Sequence, residues 1–269
     1  MQMVDLGGRC LHVRDEGDPA GAPVVFIHAL GTDLRLWDAL VARLPDALRL
    51  IRFDLRGHGL SDAPEGPYAM GGLVRDAEGV LDALGVRDAV VVGLSIGGLV
   101  AQGLAVKRLD QVRALVLSNT ACKIGTAQMW QERAATARTE GIEALADATM
   151  ARWFPKPFRD TPQARAWRNL LVRTPVEGYA GCAAAIGGTD FYATTAALRC
   201  PALGIAGSED GSTPPDMVRE TLELIPGSTM ALIRGAGHLP CVDQPDTYAR
   251  HLVDFLASIG HGLEAPLDA

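Results

Sequence analysis

The 269-residue sequence has no CxxC pair, and its five cysteines (Cys10, Cys122, Cys182, Cys200 and Cys241) are an odd set. That usage reads as reduced thiols in a cytoplasmic chain. Long apolar runs are also missing. The stretches at 89–92 and 114–117 fall far short of the roughly 20 residues a membrane helix needs. The opening MQMVDLGGRC has no basic segment leading into an apolar one, so no secretory signal is expected. Nor is there a basic block: 25 Lys and Arg stand against 32 Asp and Glu, a formal charge of −7. Neither nucleic acid nor a membrane is therefore an expected partner. No repeat or low-complexity tract occurs. What is present is an ordinary globular balance, 48% apolar and 21% charged, in a chain long enough to bury about 70–75% of its unfolded surface without a disulfide or metal staple.

Short β-branched runs alternate with longer amphipathic ones. Val24-Val25-Phe26-Ile27, Leu50-Ile51-Arg52-Phe53, Val90-Val91-Val92 and Leu115-Val116-Leu117 read as buried strands, with helical spacing over 34–43, 70–84 and 96–107 between them. Apolar runs without alternation suit parallel strands covered on both faces. Residues 3–6 and 9–13, either side of Gly7-Gly8, read as an antiparallel edge hairpin. From 126 to about 186 only helical pieces appear, punctuated by Gly141, Pro155, Pro157, Pro162 and Pro175. Strands then resume at 202–205 and 230–233, a helix follows over 248–259, and the tail after His261 is expected to fray. The expectation is a sheet domain (1–121 and 192–269) interrupted by a helical cap (122–191) above the carboxyl edge of the strands, where ligands of open α/β sheets bind.

Gly93-Leu94-Ser95-Ile96-Gly97-Gly98 follows a strand and opens a helix. A serine on so sharp a turn projects its hydroxyl from the sheet edge, and the flanking glycines let strand and helix approach. A phosphate-binding turn is the competing reading, but Leu99 stands where that turn needs lysine. A serine nucleophile needs a base, and the base a carboxylate. His238, in Gly235-Ala236-Gly237-His238-Leu239-Pro240 after the last strand, is the expected base. His12, His251 and His261 read as surface or packing residues, and His28 as a loop-closing one. Asp210, in Ile205-Ala206-Gly207-Ser208-Glu209-Asp210, is the expected acid, with Glu209 as fallback. The order Ser95…Asp210…His238 is that of α/β-hydrolases. Backbone N–H groups of Ile96 and Leu30 are the expected oxyanion donors. The spacings of His28, His58 and His238 match no common metal site, and neither metal nor organic cofactor is expected. The polar stretch 54–62 reads as a hydrogen-bonded scaffold turn.

With these parts placed, the chain resembles the 3-oxoadipate enol-lactonase family of α/β-hydrolases. The resemblance runs over residues 9–258 and is carried by Gly31-Thr32-Asp33 with Trp37, Asn119-Thr120-Ala121, Met129-Trp130, Arg138-Thr139-Glu140-Gly141, Arg152-Trp153-Phe154 and Glu177-Gly178-Tyr179. It departs from the family's pattern at His28-Ala29, Lys123 and Pro240-Cys241. The resemblance implies an α/β-hydrolase fold, with a mostly parallel eight-stranded sheet, flanking helices and a helical cap. It also implies serine-dependent opening of an anionic enol-lactone. The substrate's carboxylate then calls for a cation in the cap: Arg133 first, with Lys123 and Arg138 behind it, and Trp130 beside them. A serine esterase, a carbon–carbon bond hydrolase or a perhydrolase would share the same three residues. A non-catalytic receptor of this fold would have no use for them.

Overall fold

A computed structural model describes residues 1–263. The apolar runs become β1 (Gln2–Asp5), β2 (Cys10–Gly17), β3 (Ala22–Ile27), β4 (Leu48–Phe53), β5 (Ala89–Leu94), β6 (Val112–Ser118), β7 (Ala202–Gly207) and β8 (Thr229–Ile233). They form one eight-stranded sheet in the order β1-β2-β4-β3-β5-β6-β7-β8. The pairs from β4 to β8 are parallel, whereas β1 pairs with β2, and β2 with β4, antiparallel. Burial follows position. Every residue of β5 and β7 is buried, while the edge strands β1 and β8 leave residues such as Gln2 and Leu232 exposed. Central strands thus read as unbroken apolar runs because both of their faces are covered.

The covering helices carry apolar stripes. In α12 (Pro245–Ser258) the buried positions include Tyr248, Ala249, Leu252, Phe255 and Leu256, the spacing of one helical face. In α2 (Met70–Ala83) they include Leu73, Val74, Ala77, Val80 and Leu81. Helix α3 (Ile96–Lys107) is buried from Ile96 to Ala105 because it lies between the sheet and α2. The single helix expected over 34–43 is instead a 3-10 turn (Leu34–Trp37) running into the short α1 (Asp38–Val41). Leu34, Leu36 and Trp37 are all buried, a set that no single α-helical face accommodates.

Between β6 and β7 the chain runs through α4 (Ala127–Glu140), α5 (Glu143–Trp153), α6 (Lys156–Arg159), α7 (Pro162–Val172), α8 (Val176–Gly187) and α9 (Tyr192–Ala196), with no strand among the described residues. Thr126 and Thr161 start α4 and α7 by accepting the amides of Met129 and Ala164. The small residues of α8 let α4 pack closely on it. The insertion meets the sheet domain where Gly57 faces Gly178: a Cβ on either would run into the backbone of the other. After β7, α10 (Pro215–Glu223) precedes β8, and the short α11 (Pro240–Asp243) leads into α12. Past that helix, His261 has its amide bonded to Leu256 O and its Nε2 donating to Pro23 O at 3.0 Å. Of the tail after it, expected to fray, Leu263 packs against the core, and 264–269 lie outside the described residues. No helix among the described residues is long and apolar enough to cross a membrane.

Candidate active site

Ser95 sits between β5 and α3 at φ 58°, ψ −118°, a conformation that costs a non-glycine residue about 1–3 kcal/mol. The neighbouring glycines are steric requirements. A Cβ on Gly93 would collide with Gly97, and one on Gly97 with the carbonyl of Ile27. The turn is tied down by Ser95 N donating to Ser118 O at 3.1 Å and by Thr120 Oγ1 donating to Ser95 O at 2.7 Å.

Asp210 and His238 are brought together by the loops after β7 and β8. His238 Nδ1 lies 2.9 Å from Asp210 Oδ2. Facing a carboxylate, that nitrogen carries the proton and leaves Nε2 with its lone pair. Asp210 is also surrounded by other donors. Oδ1 accepts from Ser212 N (2.7 Å) and Thr213 N (3.1 Å), and Oδ2 from Asn119 Nδ2 and Thr213 Oγ1 (both 2.8 Å). Burial alone would raise this carboxyl, but the electrostatic attraction of His238 and hydrogen bonds from His238, Asn119 and the Ser212 amide hold it below the usual carboxylate range. Glu209, the fallback acid, is exposed and takes no part in the cluster. Nothing local in the sequence marks Asn119 or Thr213 as partners of the acid; only the fold brings a donor at the end of β6 to Asp210.

Ser95 and His238 line one cavity of about 450 Å³. Among the described residues no hydrogen bond joins the serine hydroxyl to the ring, and such bonds commonly tighten only around substrate. Leu30 lines the same cavity, and the amides of Leu30 and Ile96 donate to no acceptor among the described residues. The next amide is engaged: Gly31 N donates to His58 Nε2 at 3.0 Å. Burial, then the neighbouring His28, pushes His58 down to about 3, so its ring stays neutral and can accept. His28 closes the loop as expected, with Nδ1 donating to Ala29 O (2.8 Å) and Nε2 accepting from Leu55 N (2.8 Å).

Much of the remaining lining comes from the insertion. Trp130 both anchors it, donating Nε1 to Ile124 O at 2.6 Å, and lines the cavity. Arg133 reaches in, with Nε donating to Tyr179 Oη and Nη2 to Thr149 Oγ1, each at 2.6 Å. Two expected cations are elsewhere. Lys123 is exposed, pairs with Asp190 at 2.9 Å, and does not line this cavity. Arg138 pairs with Glu177 on the surface. In their place stands Arg152, half-buried on the cavity wall, which the sequence marks only as part of the Arg152-Trp153-Phe154 resemblance and not as a binding cation. A larger groove of about 580 Å³ lies between α7 and the 3-10 turn and holds none of these groups. Among the described residues no cluster of three or more His, Cys, Asp or Glu could hold a metal ion.

Residues 24–251 match the alpha/beta hydrolase family. The chain is 34% identical to 3-oxoadipate enol-lactonase 2 of Acinetobacter baylyi, covering 86% of each. It is 32% identical to 3-oxoadipate enol-lactonase 1 of the same organism, covering 94% of this chain and 95% of the relative. The crystal structure of the enol-lactonase from Burkholderia xenovorans LB400 superposes with a TM-score of 0.92 at 36% identity, over 95% of this chain and all of that one.

Proposed function

Because the chain belongs to the alpha/beta hydrolase family, we propose that it is a serine-dependent lactonase that opens 3-oxoadipate enol-lactone to 3-oxoadipate in the degradation of aromatic compounds. Ser95 Oγ attacks the lactone carbonyl while His238 Nε2 takes its proton, and Asp210 steadies the resulting imidazolium. The amides of Leu30 and Ile96 receive the oxyanion, each donor contributing about 3–4 kcal/mol at the transition state. Collapse breaks the ring C–O bond and expels an enolate, a better leaving group than an alkoxide, to which His238 returns the proton. Water, activated by the same ring, then releases the acyl group as a carboxylate and restores Ser95. No step calls on a cofactor.

The observation that carries this reading is a single cavity lined by Ser95, by His238 with Asp210 bonded behind it, and by Arg133 and Arg152. An acyl-transfer site that shares its cavity with two cations suits an ester that also carries an acid. A second reading, an esterase for open-chain esters of small acids, is favoured by the same lining, since guanidiniums read a carboxylate without reading a ring. Rates on the enol-lactone against p-nitrophenyl esters of succinate and butyrate separate the two.

Ser95→Ala is expected to lower kcat by about 10⁵–10⁶-fold, with an unchanged far-UV spectrum and loss of labelling by a fluorophosphonate. Asp210→Asn should cost about 10⁴-fold. An unlabelled wild type, or near-normal turnover in Asp210→Asn, would sink the assignment.

A further inference from the structure

The arginines of this acidic chain are handled in two ways. Among the described residues, each one withdrawn from solvent has a carboxylate within reach, as Arg9 and Arg56 have Asp76, Arg49 has Asp15 and Arg52 has Asp38. Arg108, Arg113 and Arg168 are paired as well. Arg133 and Arg152 are the exceptions: both are half-buried, neither is ion-paired, and they face the same cavity. Their guanidiniums converge on Thr149 Oγ1, with Arg133 Nη2 at 2.6 Å and Arg152 Nη2 at 3.5 Å. Glu132 also lines the cavity but is exposed, bonded to Gln128, and paired with neither. Burial, and then the charge of Arg133, makes the protonated form of Arg152 less favourable than usual. Two cations held together without a counter-ion constitute a cost that a bound anion removes.

Arg152 has a second connection that Arg133 lacks. It occupies the last turn of α5, and that turn is seated between the two loops that carry the acid and the base. Arg152 O accepts from Gly211 N at 3.2 Å, one residue past Asp210, and Trp153 O accepts from the amide of His238 itself at 2.8 Å. Both loops lie too close to this turn to admit a side chain at the contact. A Cβ on Gly211 would come within 3.1 Å of Arg152 Cα, and one on Gly237 would strike the carbonyl of Trp153.

We propose that Arg152 is a specificity-determining residue: its guanidinium closes an anion clamp with Arg133, and its main chain ties that clamp to the acid and histidine loops. A substrate with an acidic group remote from the scissile bond is then held and aligned through one helix turn. This rests on the lactonase reading above, and adds that the anion contributes to turnover as well as to binding.

The test compares two enol-lactones, one bearing a carboxymethyl group and one a methyl group at the same carbon, on the wild type, Arg152→Met and Arg152→Lys. Arg152→Met is expected to lower kcat/KM on the carboxymethyl lactone by about 10- to 100-fold, part of it in kcat, and to leave the methyl lactone within about threefold. Arg152→Lys should recover part of the loss. The melting temperature of Arg152→Met should equal or exceed that of the wild type, because an uncompensated cation is gone. Equal losses on both lactones would make Arg152 merely structural, and a loss confined to KM would remove the link to the loops. No loss in a wild type that favours the carboxymethyl lactone overturns this inference alone. A wild type that favours the methyl lactone, or opens neither, overturns the lactonase reading and this inference with it.

Discussion

Two polar regions, the 54–62 loop and the cavity wall, look equally rich in chemistry and differ in where their partners are. In the loop the strong groups are answered by other groups of the protein. Asp54 accepts from Leu34 N (2.8 Å), Leu60 N (2.9 Å) and His12 Nδ1 (2.8 Å). Asp76, buried beneath the loop, takes Arg56 Nε at 2.5 Å and Arg9 Nη2 at 2.6 Å. On the cavity wall Arg133 and Arg152 find only neutral oxygens. Closure of the first set supports the scaffold role expected from its composition, and the open second set has the character of a binding site. Charged residues by themselves say little about function; a missing internal partner says more.

Asp76→Ala should break the first region hardest. Removing the shared carboxylate strands two guanidiniums, one of them nearly buried, and should cost about 3–5 kcal/mol of stability by denaturant titration. Activity per folded molecule should stay within a few-fold, and a selective fall in kcat would blur the contrast. Arg133→Ala should do the reverse on the second region. KM for the anionic lactone is expected to rise about 10- to 100-fold with the unfolding midpoint little changed, and a large loss of stability would return Arg133 to the scaffold class.

The smallest effect is expected between the regions, at the histidine loop. Asp243 Oδ2 accepts from Gly237 N at 2.7 Å, while its Oδ1 is buried with no partner among the described residues. Burial, helped by nearby Glu209 and opposed by the Gly237 bond, raises the Asp243 carboxyl to about 6. The folded chain therefore holds this proton more tightly than the unfolded chain, and stability from this group falls as pH rises through about 4 to 6. Asp210, held low, has the opposite sign: its contribution is present above the ordinary carboxylate value and is lost on acidification. Asp243→Asn keeps an acceptor for Gly237 and should flatten the decline between pH 4 and 6, raising the melting temperature at pH 8. An unchanged slope would place that titration elsewhere.

Much of the site was legible in the sequence because its signals are local. A serine with glycines two positions away is one strand-to-helix turn, and His238 and Asp210 each follow a strand by a few residues. The cations were harder. Lys123, Arg133 and Arg138 all lie in or just before α4, and which of them faces inward depends on how that helix sits on α8 and the core. Lys123 turns to Asp190 and Arg138 to Glu177, so of the three only Arg133 reaches the cavity. Arg152 and Asn119 stand in the sequence only as parts of the motifs that carry the family resemblance, and nothing local shows what either side chain meets.

The sequence by itself determined the alternation of strands and helices, the strained turn at Ser95 and the loops that carry Asp210 and His238. Those features depend on periodicity and on glycine placement within a few residues, where backbone sterics act. Only the tertiary structure decided which charges are answered and which are left open. Arg56 meets its carboxylate 20 residues away and Arg9 meets the same one 67 residues away, while Arg133 and Arg152 meet none among the described residues. Electrostatic pairing depends on distance in space, and the path of the chain between two residues is what sets that distance.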